Sequence, residues 1–167
     1  MEEAMKPIYR RSSTLAFGIT VATVLTVYGG SAFADDMDVT LLTPEKLVWK
    51  DNPSLPKGAK ATVLMGDPTK TGEVVVTRSK FPPNYQIPPH THPYAETITL
   101  VSGSIGFGVG EKGEKTGDLL KPGAFHALPA NQAHYVWTAG EETIIEVHFV
   151  GPFRITYINP ADDPRKK

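Results

Sequence analysis

Short segments of strand length, separated by turn residues, run through the sequence from Ala61 almost to its end. Each segment is rich in β-branched, aromatic or alternating apolar side chains, which favour extended structure. The eight segments are Ala61–Met65, Gly72–Phe81, Ala95–Val101, Ser104–Gly110, Ala124–Leu128, His134–Thr138, Thr143–Val150 and Ile155–Ile158. Strands this short and this regularly spaced predict an all-β antiparallel sandwich or barrel, and they argue against a βαβ array.

The regions on either side of these segments are predicted to hold little regular structure. Val39–Leu42 is a short strand candidate. Thr43 can cap a helix and Pro44 suits its first position, so a single N-terminal helical turn is expected there. Asp51–Gly58 contains two prolines and is predicted to be a loop. Ala161–Lys167 is highly charged and is expected to be a frayed tail.

The first 34 residues have the three-part pattern of an export signal. A basic region ends at Arg11, an apolar stretch covers Leu15–Tyr28, and Ala32-Phe33-Ala34 offers small residues where a signal peptidase cleaves. Cleavage before Asp35 would leave 133 residues, which suits one domain with one core. We therefore expect a signal peptide at 1–34, a single domain at 35–167, and a periplasmic or secreted protein.

Two alternatives to ordinary secretion remain for this segment. A permanent membrane anchor is disfavoured because the apolar stretch is shorter than the roughly 18–20 residues that span a bilayer. Arg10-Arg11 raises the possibility of twin-arginine export, but Ser12-Ser13-Thr14-Leu15 matches that signal poorly. We therefore expect general secretion and no stable membrane insertion after cleavage.

Composition limits the possible chemistry of the domain. The chain has no cysteine, so a bound metal must take nitrogen and oxygen ligands, and iron–sulfur clusters are excluded. The signal segment holds three of the 17 Lys and Arg and two of the 18 Asp and Glu, which leaves 14 against 16. This balance provides no basic face, so nucleic-acid binding is not expected.

A cluster of potential metal ligands surrounds the sequence Pro88–Glu96. His90 and His92 are two residues apart and would share one face of a strand, and Glu96 has the same parity. His134 is a third histidine about forty positions later. Three imidazoles and a carboxylate form an open site for one divalent transition metal, with Fe, Mn, Ni, Cu and Zn all compatible. For His90 and His92 alone, a surface loop with solvated imidazoles would be the simpler interpretation.

Two spaced motifs in this region resemble those of the cupin family. The first is His90-x-His92-x(3)-Glu96-x(6)-Gly103, and the second is Gly123-x(5)-Pro129-x-Asn131-x(2)-His134. The resemblance covers about Gly72–Val150. It implies a single antiparallel jelly-roll β-barrel in which His90, His92, Glu96 and His134 converge on one ion.

The match departs from the usual cupin pattern at three positions. Asn84 and Asn131 stand where glycine is usual, and Asn131 is tolerable there because asparagine accepts left-handed backbone geometry. Thr138 replaces an asparagine often found after the last histidine. The ending Gly151-Pro152-Phe153 followed by Asn159–Arg165 is similar to a group of exported single-domain cupins of the ChrR-like type.

Several other residues are candidates for roles near the ion. His126 and His148 could each act as a general base or orient a ligand, although both could equally be structural or solvated. The strand of His148 presents Glu146 on the same face, which would point to the barrel cavity or to water. Tyr85 and Tyr94 could hydrogen-bond a bound molecule at the mouth, or they could be packing residues.

Two functions follow from the resemblance and the ligand set. The first is an exported metal-dependent enzyme of the dioxygenase, lyase or isomerase type that acts on a small oxygenated molecule, with Glu96 as a possible base. The second is a non-catalytic periplasmic protein that binds a metal or a small ligand. A barrel with an empty site is disfavoured because all four ligand positions hold competent residues. The resemblance also implies a homodimer.

Overall fold

The computed structural model describes residues 40–167, so the predicted signal peptide lies outside the described residues. Within 40–167 no helix is long and apolar enough to cross a membrane. The expected helical turn forms as a 3-10 turn at Pro44–Lys46. The described part of the predicted strand at Val39–Leu42, residues 40–42, is not a strand.

Ten strands make up the described part of the chain, which contains no α-helix. They are β1 (Lys50–Asp51), β2 (Lys60–Met65), β3 (Val74–Phe81), β4 (Gln86–Thr91), β5 (Glu96–Ser102), β6 (Ile105–Val109), β7 (Phe125–Leu128), β8 (His134–Thr138), β9 (Thr143–Val150) and β10 (Thr156–Tyr157). Every predicted strand segment from Ala61 to Ile158 coincides with one of them. Two further 3-10 turns, Pro160–Asp162 and Pro164–Lys166, follow β10.

The strands form two antiparallel sheets that enclose the interior. The larger sheet has the order β1-β2-β3-β9-β5-β7, and the smaller has the order β10-β4-β8-β6. Alternate residues of each strand face inward and supply the apolar core, for example Ile98 and Leu100 of β5, which are 4% and 2% exposed. This arrangement confirms the prediction of an all-β jelly roll.

Strand β4 contains two consecutive prolines, which a strand paired on both sides does not ordinarily accept. It pairs with β8 on one side and with β10 on the other. The register with β8 shifts between Ile87 and His90, so Pro88 and Pro89 occupy a β-bulge. A bulge leaves its extra residues out of the regular ladder, so the missing N–H groups of the prolines are tolerated there. Beyond the bulge, His90 lies directly opposite His134.

Both asparagines at the usual glycine positions adopt the left-handed backbone conformation. Asn84 has φ of 57° and Asn131 has φ of 62°. The expectation that Asn131 accepts left-handed geometry is therefore confirmed, and Asn84 adopts the same conformation at the other usual glycine position. The Asn131 N–H also donates to the carbonyl oxygen of His92 at 2.7 Å, which ties the second motif to the first.

The end of the chain is ordered, contrary to the expected frayed tail. Asp163 is only 7% exposed and accepts two side-chain hydrogen bonds from Arg165, at 2.7 and 2.9 Å. Arg165 also donates to the carbonyl oxygen of Ile155 at 3.0 Å. The tail is held because its charges are paired with each other and with the backbone beside the barrel.

The backbone at Asn131 generates a testable prediction. Asn131→Ala should lower the free energy of unfolding by about 1 kcal/mol because alanine resists positive φ. Asn131→Gly should leave stability almost unchanged, since glycine adopts this conformation readily. Urea denaturation of both variants checks this. Equal losses in the two variants would show that the asparagine side chain matters more than its backbone.

Candidate metal centre

Three buried histidines converge inside the barrel. His90 of β4 and His134 of β8 are directly paired across the smaller sheet, and His92 follows β4 by one residue. Their exposed fractions are 3%, 3% and 6%. One ring nitrogen from each lies within 4.8 Å of the others. The structure thus brings together the three imidazoles that the sequence predicted.

Each of these imidazoles is oriented by a hydrogen bond to the main chain. The Nδ1 atoms of His90, His92 and His134 lie 2.8, 2.5 and 3.0 Å from the carbonyl oxygens of Pro88, Arg154 and Gln132, respectively. Because a carbonyl can only accept, Nδ1 must carry the proton in all three rings. In the neutral form of each ring, Nε2 is then the nitrogen with the free lone pair, as metal coordination requires.

Glu96 supplies the carboxylate from the opposite sheet. It begins β5, in the larger sheet, and its Oε1 lies 3.2 Å from His134 Nε2 and 3.6 Å from His92 Nε2. The sequence argument assumed that one strand continues from His90 to Glu96. Instead, residues 93–95 carry the chain from one sheet to the other, so the carboxylate faces the imidazoles across the interior.

The chemistry of this donor set fits a divalent cation. Burial lowers the pKa of His90 well below its usual range, and His134 and His92 lower it further. Burial also lowers the pKa of His92, against the opposing effect of Glu96. Neutral imidazole lone pairs then face a carboxylate in a buried enclosure, an arrangement of acceptors that a bound cation stabilises.

A short segment after β9 closes over His92. We call residues 151–155 the strap. Its Phe153 ring lies 5.9 Å from the His92 ring, and its Arg154 carbonyl accepts the His92 hydrogen bond. The Tyr94 hydroxyl accepts from the Arg154 N–H and donates to the Arg154 carbonyl, each at 3.1 Å. Tyr94 therefore holds the peptide that orients His92.

Tyr94 and Tyr85 both prove to be packing residues with bonded hydroxyls. The Tyr94 ring stacks on His92 and Phe149, with centroids 5.4 and 5.1 Å apart. Burial raises its pKa, so its hydroxyl keeps the proton that it donates. Tyr85 stacks on Phe81 at 5.2 Å and donates its hydroxyl to the Pro56 carbonyl.

His126 faces the interior but does not belong to the ligand cluster. It pairs with Ile98, an inward residue of β5, so it points to the same side of the sheet. Its ring packs on Phe107 with centroids 4.8 Å apart. Burial lowers its pKa, the charge of His134 lowers it further, and Glu96 opposes the effect. His126 is near the cluster without lining the cavity, so its catalytic role stays a prediction.

His148 lies on the outer face of the larger sheet, with its side chain 47% exposed. It contacts Glu146 at 3.1 Å, and Glu146 in turn accepts from Arg78 at 3.0 Å. The opposite face of β9 carries Ile145, Val147 and Phe149 and lines the cavity. Of the two orientations that the sequence left open, the structure therefore shows the solvent-facing one, and this position gives no support to a catalytic role.

The candidate metal site opens onto a cavity of about 480 Å³. His90, His92, Glu96 and His134 form part of its wall, and most of the remainder is apolar. The larger apolar side chains are Leu55, Val63, Phe81, Ile87, Ile98, Val136, Ile145, Val147, Phe149, Phe153 and Ile155. A molecule bound in the cavity would be able to contact an ion at this site.

Two features of the site were not assigned from the sequence. One is the strap. The sequence Gly151-Pro152-Phe153 marked this segment as part of the family resemblance, but it does not indicate a hydrogen bond to His92. The other is the inward pair Thr77 and Ser79, which lies between Val75 and Phe81 on the same face of β3. Strand alternation could have identified that pair once the inward face was known.

Comparison with known proteins identifies related domains and folds. Residues 77–151 match the family model described as "Cupin domain". The polyketide cyclase RemF from Streptomyces resistomycificus is 19% identical, with a TM-score of 0.62 over 77% of this chain and 92% of that chain. KdgF from Halomonas sp. is also 19% identical, with a TM-score of 0.52 over 70% of this chain and 96% of that chain.

A lyase provides a third structural comparison. The DMSP lyase DddQ from Ruegeria pomeroyi DSS-3 is 17% identical, with a TM-score of 0.55 over 70% of this chain and 63% of that chain. At these identities the solved structures establish a shared fold. A search of curated proteins found no significant match.

The role of Tyr94 can be tested by removing its hydroxyl. Tyr94→Phe should keep the ring stacking but release the Arg154 peptide, so His92 is less firmly oriented. We expect about a tenfold loss of Zn²⁺ affinity, measured by competition with a chromophoric chelator. Tyr85→Phe, which removes a hydroxyl bonded elsewhere, is the matched control. Equal affinities in the two variants would contradict the role assigned to Tyr94.

The lowered pKa values of His90 and His92 predict a pH dependence of stability. These residues have a usual pKa of 6.5, and their folded pKa values lie below it. As pH falls, the unfolded chain therefore binds protons at these residues before the folded chain does. The metal-free protein should lose stability below about pH 6.5. The free energy of unfolding should fall by up to about 1.4 kcal/mol per pH unit for each residue. Above that pH this contribution is fully present.

Thermal or urea unfolding of the metal-free protein between pH 8 and pH 5 measures this effect. Thr97→Val is the control, because it lies on the outer face of β5 and changes no ionisable group, so the profile should be unchanged. A flat profile in the parent protein would contradict the burial of neutral imidazoles.

Proposed function

The chain contains a cupin domain at residues 77–151, and from this we propose that it is an exported enzyme that uses one divalent transition metal to transform a small oxygenated molecule. The observation that carries the proposal is the position of the ion site. Its ligands His90, His92, Glu96 and His134 form part of the wall of a ligand-sized cavity. A metal that serves only to stabilise a fold is usually enclosed by its ligands.

The protein side chains around this site have distinct tasks in the proposed reaction. A divalent ion held by the four ligands would act as a Lewis acid toward a substrate oxygen and stabilise negative charge that develops there. The apolar walls exclude water and so strengthen electrostatic interactions at the site. Glu96 is the one carboxylate on the cavity wall within residues 40–167, and we assign it the role of proton acceptor.

The structural neighbours support an enzyme without selecting one reaction. Their names include a polyketide cyclase, a DMSP lyase and an oxalate oxidase. The same fold thus serves several chemistries, so fold alone does not choose between them. We therefore propose a reaction of the dioxygenase, lyase or isomerase type, with Fe, Mn, Ni, Cu or Zn as the metal.

A non-catalytic periplasmic protein that binds a metal or a small ligand is the second candidate. One observation favours it: apart from the four proposed ligands, the described cavity wall contains no side chain that titrates near neutral pH. His126 and His148 do not line the cavity. If Glu96 remains bound to the ion, no independent acid or base would be available for proton transfer.

We further propose that the protein forms a homodimer after export through the general secretory route. Several apolar side chains are exposed on the outer face of the larger sheet, including Val74, Val101, Phe125 and Val150. Val74 pairs with Val150 and so extends an apolar surface across two strands. Such a surface is commonly covered by a partner, and the molecular mass in solution tests this.

Metal content and turnover together test the proposed function. The protein should contain about one equivalent of transition metal by elemental analysis, and it should consume or convert members of a panel of diketones and catechols. Metal without turnover across the panel would favour the binding function. Folded protein that takes up none of the five metals would contradict the enzyme and would weaken the binding function, since only small-ligand binding would remain.

Two histidine variants test the ligand assignment. His92→Ala should remove most of the metal and lower the melting temperature, because one ligand is lost from the buried cluster. His148→Ala should retain the metal, since its ring lies on the outer face of the sheet. Elemental analysis and thermal melting of both proteins check these outcomes. Metal loss in the His148 variant would show that the ligand set is misassigned.

A further inference from the structure

We propose that the cavity binds an elongated molecule that carries no charge away from the ion, with oxygens at the ion and a hydrogen-bonding group that meets Thr77 and Ser79. The inference deepens the proposed function and rests on it, because it takes the ion site as one end of the ligand. It adds a ligand class and a second polar subsite.

The charges on the cavity wall exclude ligands with a remote anionic group. Within the described residues, no lysine, arginine or aspartate lines the cavity, and its ionisable groups are Glu96 and the three imidazoles at the ion site. A carboxylate or phosphate far from the ion would be buried without a cationic partner, which is strongly unfavourable. Any anionic group of the ligand must therefore sit at the ion itself.

The hydroxyls of Thr77 and Ser79 are available to a ligand. Both residues belong to the inward face of β3 and line the cavity. Neither side chain hydrogen-bonds to another described residue. No fully buried side-chain nitrogen or oxygen in the described chain lacks a partner, so these hydroxyls are accessible from the cavity. They form a polar subsite on a mainly apolar wall.

Strand register places this subsite at a defined separation from the ion site. Glu96 pairs with Phe149, and Phe149 with Val75, in one inward row of the larger sheet. Thr77 is two residues beyond Val75 on the inward face of β3, which corresponds to roughly 7 Å along the strand. Its strand is two strands away from that of Glu96, which corresponds to roughly 10 Å across the sheet. The two Cα positions are thus about 12 Å apart, which leaves room for one six-membered ring between the side chains.

The wall between the two polar ends is apolar. Val147 lies directly between Ile98 and Thr77 in the next inward row, and Ile145 lies between Leu100 and Ser79 in the row after it. A volume of about 480 Å³ also greatly exceeds the needs of a two-carbon acid. The geometry therefore points to an aromatic or alicyclic body with a hydroxyl or carbonyl group at its far end.

The test uses three probes with the zinc-loaded protein, because zinc is redox-inert and allows binding to be measured without turnover. The probes are dibenzoylmethane, its para-hydroxy derivative and oxalate. Zinc content is measured first, and calorimetry then gives each dissociation constant. We expect both diketones to bind more tightly than oxalate, and the hydroxylated diketone to bind about 3- to 10-fold more tightly than its parent.

Variants locate the effect within the cavity. The double variant Thr77→Val with Ser79→Ala should abolish the preference for the hydroxylated probe and leave the parent diketone unaffected. Thr97→Val, on the outer face of β5, is the matched control and should change neither. If zinc does not bind, the same measurements are made anaerobically with whichever of Fe, Mn, Ni and Cu is taken up. Uptake of none of the five metals overturns the proposed function and this inference with it. Normal zinc binding with tighter oxalate binding, or with an unchanged preference in the double variant, overturns this inference alone.

Discussion

The hydrogen bonds from three imidazole Nδ1 atoms to main-chain carbonyls determine the character of the interior. They fix one tautomer for His90, His92 and His134 and direct three lone pairs toward the carboxylate of Glu96. These acceptors face one another at the wall of the cavity, where water or a cation can relieve their mutual repulsion. A cation relieves it directly, so the ion site follows from backbone geometry as much as from the identity of the ligands.

The same arrangement would link the two sheets of the barrel. His90 and His134 belong to the smaller sheet, whereas Glu96 belongs to the larger one. An ion bound to all of them would cross-connect strands that share no backbone hydrogen bonds. Metal binding would therefore be coupled to the closure of the barrel, and part of the binding free energy would be available to stability in a chain without cysteine.

The sequence predicted those features that depend on local spacing and missed those that depend on which side of a sheet is inside. The strand segments and the clustering of His90, His92 and His134 follow from alternation and motif spacing. The orientation of His148 does not, because an apolar strand face can line a packed core or a cavity equally well. The hydrogen bond from His92 to the Arg154 carbonyl could not be predicted either, because every residue has a backbone carbonyl and the residue type does not show which one is used.

The apolar face of β9 lines a cavity and not a packed core, and this difference bears on what the protein can bind. Ile145 and Phe149 are buried and Val147 is half-buried, yet all three line a cavity of about 480 Å³. Side chains beside such a space lose the dispersion contacts that close packing would provide. A ligand with an apolar body would restore those contacts along β9 while its polar ends met the ion and β3. The open volume and the lack of charged side chains on its described wall away from the candidate metal site thus favour the same kind of occupant.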